Sequence, residues 1–395
     1  MNILFLTTSL PSLNVSSFYG DLINELKLNG HTILAVAPNI NKKTEITKEN
    51  GVCVLRVCSK QLFGVSNIKK GIAYQLLIIN YFLKLRKYFK HEHIDCIISN
   101  SLPLEISILI QHLKRKYKAQ YYLIHRDFTW QDAVGFGFFK NYSIIKLYYR
   151  QLEKKLYSIA DHIGCMSDGC IDYIKKNNKY LNPDKLHILY NFSKPIELPL
   201  LNKEEIKAKY CINNKFTVVY GGNMSIAQKI ENILNLAEAC IENKDIVFLL
   251  IGQGTYFDKI KAIAQSKNLY NVIFHDLLSK IDFARLLSVC DVGLVCLNEE
   301  LSTPNIPSKI MSYFNASIPV LASIDYVTDL GTFLDTTKSG LWAYSDDTAK
   351  LKSCLLTLYN NKELCIKYGK NGYNFYMKNM LPSNAYSTIV KKINS

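Results

Sequence analysis

The chain has 395 residues, of which 48% are hydrophobic, and it carries a net charge of +15. This length exceeds what one hydrophobic core usually supports, which predicts two domains. No apolar run reaches the roughly 18 residues of a transmembrane helix, which argues against a membrane-spanning protein. The 11 cysteines form no CxxC pair or zinc-like cluster, and no cleavable signal precedes the first strand pattern. We therefore expect a cytoplasmic protein whose cysteines are small core residues.

The positive charge is concentrated in the first half of the chain. Residues 1–200 carry 27 Lys and Arg against 15 Asp and Glu, a net +12, whereas the remainder carries 21 against 18, a net +3. Such an excess suits nucleic acid, an anionic membrane surface or simple solubility. No RNA- or DNA-binding motif occurs, so the sequence disfavours nucleic acid as the partner.

The first half alternates short β-branched runs with helical patterns. A strand at "NILFLTTS" precedes a helix at Phe18–Asn29, and further strands follow at "HTILAVAP", "IDCIISN", "QYYLIHRD" and "HIGCMS". This alternation predicts βαβ units and a parallel sheet flanked by helices.

One helical pattern in this half, Gly71–Phe89, has a broad apolar face and a basic end. The basic residues are Lys84, Arg86, Lys87 and Lys90. A helix of this kind can lie on a membrane surface. The alternative is a core helix with a solvated basic tip.

The pattern breaks at Pro195 and Pro199 and then restarts. Strands at "FTVVYGGN", "IVFLLIGQG", "NVIFHD", "VGLVCL" and "IPVLAS" again alternate with helical stretches. The sequence thus predicts an α/β protein with two doubly wound, Rossmann-like domains, over residues 1–195 and 196–379, facing across a cleft. Ligands of such sheets bind at the carboxyl ends of the strands.

A glycine turn ends the first strand of the second half. In "VVYGGNMSIAQKIENIL", Gly222 permits close approach of a ligand to the backbone, and Asn223, Gln228 and Lys229 follow before a helix. Free helix N–H groups and a lysine could bind a phosphate there. A plain turn between strand and helix is the alternative.

A second glycine pair, Gly252-x-Gly254, lacks the third glycine of a dinucleotide-binding loop, because Phe257 stands in its place. It is interpreted as a structural turn against which a nucleotide base could rest.

The stretch "STPNIPSKIMSYFN" places Lys309 in the first turn of a helix that begins near Pro307 and Ser308. The helix dipole disfavours a cation at this position unless an anion offsets it. Exposed N–H groups, a Ser hydroxyl and an ammonium together would suit a diphosphate. The alternative is an ordinary surface lysine.

Charged residues follow an apolar strand in "YYLIHRDFTWQDAVGFG". At the mouth of a cleft, Asp127 could act as a general base and Arg126 could orient it or bind an anionic substrate. A structural Arg–Asp pair at the domain edge is the competing interpretation.

Several segments resemble, in order and spacing, the GT-B glycosyltransferases of family 4. The resemblance is strongest to a bacterial surface-polysaccharide branch that includes N-acetyl-L-fucosaminyl transferases. The segments are "RDFTWQDAVGFG", "ADHIGCMSDGCIDYI", "YGGNMSIAQKIENIL", "IGQGTYFDKI", "CDVGLVCL" and "STPNIPSKIMSYFNASIPVLASI".

The resemblance implies donor-side roles for the matched residues. Lys309, with Ser308, would hold the diphosphate of a nucleotide-sugar. Ser312 stands where many members of the family have an acidic residue that contacts the ribose, and Pro304, beside Thr303, stands where they have its upstream acidic partner. Asn223 and Gln228 replace the family's Arg and Lys, as the fucosaminyl-transferase branch has them. The expected donor-side set is therefore Gly222, Asn223, Gln228, Lys229, Gly252, Thr303, Pro304, Ser308, Lys309 and Ser312.

The resemblance also implies the activity: a retaining, metal-independent glycosyl transfer without a cofactor, in capsule or O-antigen synthesis. A UDP-sugar would be the donor substrate, a lipid-linked saccharide the acceptor, and the inner face of the plasma membrane the location. A C-terminal helix, about 380–395, would pack back on the first domain. The alternatives are a nucleotide-sugar epimerase of the same fold and an inactive, membrane-docked subunit.

Overall fold

The computed structural model describes residues 1–62, 64, 67–137 and 144–395. These residues form two compact units. Unit 1 comprises Met1–Lys194 and Leu381–Ser395, and unit 2 comprises Pro195–Met380. The chain thus passes from one unit to the other beside the first proline of the segment in which the sequence pattern breaks.

Unit 1 is built on an eight-stranded sheet in the order β3-β4-β2-β1-β5-β6-β7-β8. The pairs β1 with β2 and β1 with β5 are parallel, so successive strands place their carboxyl ends at one edge of the sheet. The strands are β1 (Asn2–Leu6), β2 (Thr32–Ile40), β3 (Glu45–Glu49), β4 (Val52–Ser59), β5 (Cys96–Asn100), β6 (Gln120–His125), β7 (His162–Cys165) and β8 (Leu186–Ile188).

Helices cover this sheet, and the inner strands are accordingly apolar and buried on both faces. The helices are α1 (Phe18–Leu28), α2 (Asn67–Tyr88), α3 (Ile106–Tyr117), α4 (Thr129–Gly135), α5 (Ile144–Ile159) and α6 (Asp168–Asn177), with a 3₁₀ turn at Pro183–Lys185.

One strand departs from the parallel sheet that the sequence predicts. β3 pairs with β4 in the antiparallel direction. The two strands are joined by Asn50 and Gly51, which have φ angles of 45° and 74°. Positive φ at both central residues is the geometry of a tight hairpin turn, for which Asn-Gly is the preferred sequence. The dipeptide is therefore the physical reason for the reversal.

The last helix of the chain, α15, belongs to unit 1. Its residues Ala385, Ile389 and Ile393 are buried in the same core as Leu22 and Leu26 of α1. α15 spans Pro382–Ile393. The apolar face of α15 is thus part of the core of unit 1.

Unit 2 contains a six-stranded parallel sheet in the order β11-β10-β9-β12-β13-β14. The order reverses at β9, from which one half of the sheet extends through β10 and the other through β12. The strands are β9 (Phe216–Asn223), β10 (Ile246–Gln253), β11 (Val272–Asp276), β12 (Val292–Cys296), β13 (Val320–Ile324) and β14 (Gly340–Tyr344).

The helices of unit 2 bury their apolar faces against this sheet, in a core that includes Phe248, Leu250 and Leu294. They are α7 (Lys203–Lys209), α8 (Glu231–Ala239), α9 (Phe257–Ser266), α10 (Lys280–Leu287), α11 (Lys309–Asn315), α12 (Leu330–Thr337), α13 (Thr348–Asn360) and α14 (Lys362–Asn379), with a 3₁₀ turn at Ile226–Gln228.

Candidate functional site

Glycines let the carboxyl ends of β9 and β10 approach each other closely. Gly222 has φ +128° and lies opposite Gly252 in the β9–β10 pairing. A Cβ atom on Gly252 would lie 1.9 Å from the carbonyl oxygen of Gly222. Gly254 has φ +147°, and a Cβ atom there would lie 2.2 Å from the carbonyl oxygen of Met224. Side chains are thus excluded from this turn, and the backbone of β9 stays accessible at its end.

Lys309 reaches this glycine turn from the start of α11. Its Nζ atom lies 3.6 Å from the ring centroid of Tyr220, the residue of β9 that precedes the glycines. A Cβ atom built on Gly222 would lie 3.9 Å from the same Nζ. The ammonium is therefore placed between an aromatic face and the glycine backbone, in an arrangement that the ring stabilises by cation–π attraction.

The ammonium of Lys309 is buried and has no hydrogen-bond partner among the described residues. Lys309 as a whole is half-buried, so the burial concerns its charged end rather than its stem. Burial lowers the pKa of Lys309 to about 7, and the nearby thiol of Cys296 opposes this shift. A buried cation without a partner costs folding free energy, and an anion in the site would remove that cost.

This pKa predicts that binding of a nucleoside diphosphate takes up a proton. Above pH 7 the free protein holds Lys309 largely neutral, and an anion beside it restores the charged form. Diphosphate affinity should therefore fall as pH rises through about 7, by up to tenfold per pH unit. Titration calorimetry at pH 8 in buffers of different ionisation enthalpy measures the proton directly. No proton uptake, or an affinity that is constant from pH 6 to 9, would contradict the prediction.

The other α11 residues of the predicted donor side lie around Lys309. Ser308 is exposed at the N-terminal boundary of α11, and Ser312 is half-buried one turn after it. Thr303 and Pro304 are buried in the loop that precedes α11. This loop is fixed by Thr328, whose Oγ1 donates a hydrogen bond of 2.7 Å to the carbonyl oxygen of Asn305.

Of the three polar residues that follow the glycine turn, two already have partners within the protein. Asn223 is exposed at the end of β9. Gln228 accepts a hydrogen bond of 2.7 Å from Ser225 Oγ through its Oε1 atom. Lys229 has φ +40° and forms an ion pair with Glu299, which also accepts a hydrogen bond from Ser345. The ammonium of Lys229 is thus already paired with a carboxylate, unlike that of Lys309.

In unit 1 the polar residues also gather at the carboxyl edge of the sheet. Arg126 and Asp127 follow β6, Thr8 follows β1, and Asn100 ends β5. All four line a cavity of about 450 Å³, together with aromatic side chains from four helices. The structure therefore brings the two residues that the sequence assigned to the acceptor side into one concave site.

Arg126 and Asp127 form no salt bridge with each other in the part of the chain that the structure describes. The guanidinium carbon of Arg126 lies 3.7 Å from the ring centroid of Phe18, and its Nε atom is buried without a hydrogen-bond partner among the residues that the structure describes. Asp127 is exposed. Burial raises the pKa of Tyr19, which also lines the cavity, while the charge of Arg126 opposes this and that of Asp127 adds to it. The arginine is thus held by a ring rather than by the neighbouring carboxylate.

A further carboxyl group in this cavity was not singled out from the sequence. Glu105 lies directly before α3, is 3% exposed, and accepts a hydrogen bond of 2.9 Å from Gln75 Nε2 of α2. Burial raises the pKa of the Glu105 carboxyl. Burial is the main cause of the raised pKa values of Tyr74 and Tyr149, which also line the cavity, and the charge of Glu105 adds to both shifts. The only sequence signal was its position after the strand pattern "IDCIISN".

A buried polar network supports the wall of the cavity. The OH group of Tyr157 lies 2.8 Å from His125 Nε2 and donates to Glu153 Oε1 at 3.3 Å. Trp130, which lines the cavity from α4, donates to the same carboxylate oxygen at 3.4 Å. Burial lowers the pKa of His125 to about 3, so this imidazole is neutral. The network fixes α4 on α5 and so positions the indole of Trp130.

The described residues contain no group of three or more His, Cys, Asp or Glu side chains arranged to hold a metal ion. None of their helices combines the length and the apolar character needed to cross a membrane.

Residues 202–375 match the model of the family described as glycosyl transferases group 1. Among curated proteins, the probable glycosyltransferase WbjE of Pseudomonas aeruginosa is 25% identical over 62% of this chain and 61% of its own length. The putative colanic acid biosynthesis glycosyl transferase WcaI of Escherichia coli is 26% identical over 31% of this chain and 30% of its own length. The chain thus spans less than two thirds of either relative in these alignments.

Solved structures establish the fold. The Anabaena protein Alr3699/HepE in complex with UDP-glucose superimposes with a TM-score of 0.72 at 12% identity, over 100% of this chain and 99% of that one. The fold is GT-B, as the sequence resemblance implied. The chain thus has a GT-B fold, and its residues 202–375 are similar to the glycosyl transferases group 1 family.

Proposed function

We propose that the protein is a retaining glycosyltransferase that moves a sugar from a nucleotide-sugar to a lipid-linked saccharide. The observation that carries the proposal is the buried, unpartnered ammonium of Lys309 beside Gly222. Because buried charges in proteins are usually paired, an ammonium of this kind supports a bound anion beside it. The diphosphate of a nucleotide-sugar supplies that anion.

The donor side acts on the leaving group. When the bond between the anomeric carbon and the diphosphate oxygen breaks, negative charge develops on that oxygen. The Lys309 ammonium and the backbone N–H groups near Gly222 and Ser308 offset this charge, so no metal ion is required for it. Because Alr3699/HepE binds UDP-glucose, a UDP-sugar is the proposed donor. The sugar itself is a hexose or an N-acetylhexosamine.

The acceptor side is the cavity of unit 1. Its aromatic side chains suit the apolar face of a sugar ring, and Asn100 and Glu105 offer hydrogen bonds to hydroxyl groups. Asp127, exposed and without a salt bridge to Arg126, is the proposed base for the proton of the acceptor hydroxyl. The unpartnered Nε atom of Arg126 is available to an anionic group of the acceptor.

The biological setting that we propose is the synthesis of a bacterial surface polysaccharide, a capsule or an O-antigen. Support comes from the names of the relatives, one of which is named a putative colanic acid biosynthesis glycosyl transferase, and from the resemblance to family 4. Product analysis separates this function from the alternatives. Transfer requires an acceptor, whereas an epimerase converts the nucleotide-sugar without one and an inactive subunit does neither.

Unit 1 is the proposed contact with the inner face of the plasma membrane. On α2, Ile72, Leu76, Ile79 and Leu83 are between 39% and 54% exposed. Their spacing places them on one face of the helix, and this set is here named the α2 stripe. The opposite face, which includes Leu77 and Tyr81, is buried in the core. The helix thus combines a core face with an exposed apolar face.

Replacing the basic residues at the end of α2 should weaken membrane attachment. Each Lys or Arg near an anionic surface contributes about 1 kcal/mol, so vesicle co-sedimentation at low salt should fall, while transfer to a short soluble acceptor is unchanged. The variant changes Lys84, Arg86, Lys87 and Lys90 to Gln. The control changes four exposed lysines elsewhere in unit 1, namely Lys175, Lys176, Lys179 and Lys391. Equal sedimentation of the variant and the parent would exclude this end of the helix as an anchor.

A further inference from the structure

A second cavity of unit 1, of about 530 Å³, has a strongly basic lining. Lys42, Lys43 and Lys60 surround it, and no acidic residue is among the residues that line it. All three lysines are exposed, and no ion pair between described residues involves any of them. Three ammonium groups around one concavity attract an anion, because each adds to the same positive potential.

The fold holds these lysines close together from two segments of the chain. Lys42 and Lys43 lie in the turn between β2 and β3, where Asn39 Nδ2 donates 2.8 Å to the carbonyl oxygen of Lys43. Asn41 N donates 2.9 Å to the carbonyl oxygen of Ser59, which brings that turn to the end of β4 and to Lys60. These hydrogen bonds therefore hold the two segments that carry the lysines side by side.

Helix α2 forms the remaining wall. Asn80 lines the cavity and donates from Nδ2 to the carbonyl oxygen of Cys58 at 3.2 Å, which fixes α2 on the end of β4. Leu76 also lines the cavity, and it is 39% exposed as a member of the α2 stripe. The basic concavity and the exposed apolar stripe are thus continuous at this leucine.

We propose that this cavity binds the headgroup of an anionic phospholipid. The phosphate occupies the space among the three lysines, and the acyl region contacts the α2 stripe. A free phosphate would use the lysines alone, whereas a lipid uses both the charge and the adjoining apolar surface. The inference deepens the membrane partner of the proposed function, on which it rests only for the presence of a lipid surface.

The test changes Lys42, Lys43 and Lys60 to Gln and compares two vesicle types, phosphatidylcholine with and without phosphatidylglycerol. The matched control changes Lys175, Lys176 and Lys179 to Gln. These lie in and directly after α6, which packs on β7 and β8 at the other edge of the sheet from β3 and β4. All six lysines are exposed, so both variants should fold, and melting curves check this.

The expected result is that the cavity variant loses affinity for the phosphatidylglycerol vesicles by on the order of 100-fold, at about fivefold per lysine. The control should lose much less, and neither variant should differ on pure phosphatidylcholine. An equal loss in the two variants would mean that net charge alone acts, and would overturn the proposal. Calorimetry with inorganic phosphate tests a free phosphate as the ligand. If the cavity variant loses phosphate binding but still binds the vesicles as the parent does, the proposal is also overturned.

Sugar transfer to a soluble acceptor is measured on the same three proteins. The cavity variant should transfer as the parent does. If the parent itself transfers no sugar, the proposed function fails, while the vesicle result still decides on the headgroup site.

Discussion

Replacing Lys309 with alanine should weaken the binding of the nucleotide-sugar and of the free nucleoside diphosphate by the same factor. Both ligands carry the diphosphate that the ammonium is proposed to contact. A charge-assisted contact of this kind is worth roughly 1.5–3 kcal/mol, or about 10- to 150-fold in affinity. Titration calorimetry measures this below pH 7, where Lys309 is protonated in the free protein.

Two further variants separate the charge of Lys309 from its packing. Lys309→Met keeps most of the stem over Tyr220 and removes only the charge, so it should bind as weakly as Lys309→Ala. Lys261→Ala, on the exposed surface of α9, makes the same change in net charge and should bind as the parent does. Nucleotide affinity that is unchanged in Lys309→Met would remove Lys309 from the donor site. A higher melting temperature of Lys309→Met without ligand is also expected below pH 7, where the parent buries an unpartnered ammonium that the variant lacks.

Replacing Asp127 with asparagine should lower turnover by about 100-fold or more, while the donor affinity stays within about twofold. Loss of a general base costs roughly 10²- to 10⁴-fold in rate. The donor is proposed to bind in unit 2, so its dissociation constant should not respond to a change in unit 1. Steady-state kinetics with a soluble acceptor gives turnover, and calorimetry gives donor affinity.

The control for Asp127 is Asp172→Asn, which removes the same charge from an exposed position on α6 of the same unit. It should keep the turnover of the parent. A pH–rate profile adds a second readout, because the acidic limb of the parent should be lost in Asp127→Asn if this carboxylate takes the proton. Donor binding that falls together with turnover would show that Asp127 acts on the donor or on the fold.

The alternation of apolar runs with helical patterns was enough to predict two α/β sheets. That signal is local, because each helix or strand must bury one face, and the periodicity of its apolar residues shows which face is buried. The Asn50-Gly51 pair is typical of the hairpin turn that reverses β3. The polar sequence "EITKE" of β3 itself, however, does not indicate a strand. At the edge of a sheet a strand needs little apolar character, and so its pattern is weak.

The candidate site was readable only where one segment carries the signal. Lys309 could be singled out because it and its helix start are neighbours in sequence. The burial of its ammonium over Tyr220 could not be predicted, since this contact depends on how α11 packs against β9. The sequence likewise could not show that Lys229 pairs with Glu299, or that Glu105 lies in the cavity of unit 1. Each joins residues from separate elements, for which one sequence gives no local pattern.

The central claim is that a sugar passes from a nucleotide-sugar to an acceptor, and mass spectrometry of the product tests it most directly. The purified protein is incubated with a panel of UDP-, GDP- and dTDP-sugars, with and without a lipid-diphosphate saccharide. We predict that one donor, a UDP-sugar, increases the mass of the acceptor by one sugar residue, only when acceptor is present and much less with Lys309→Ala. An acceptor of unchanged mass with every donor, or a sugar that is altered without any acceptor, would contradict the account.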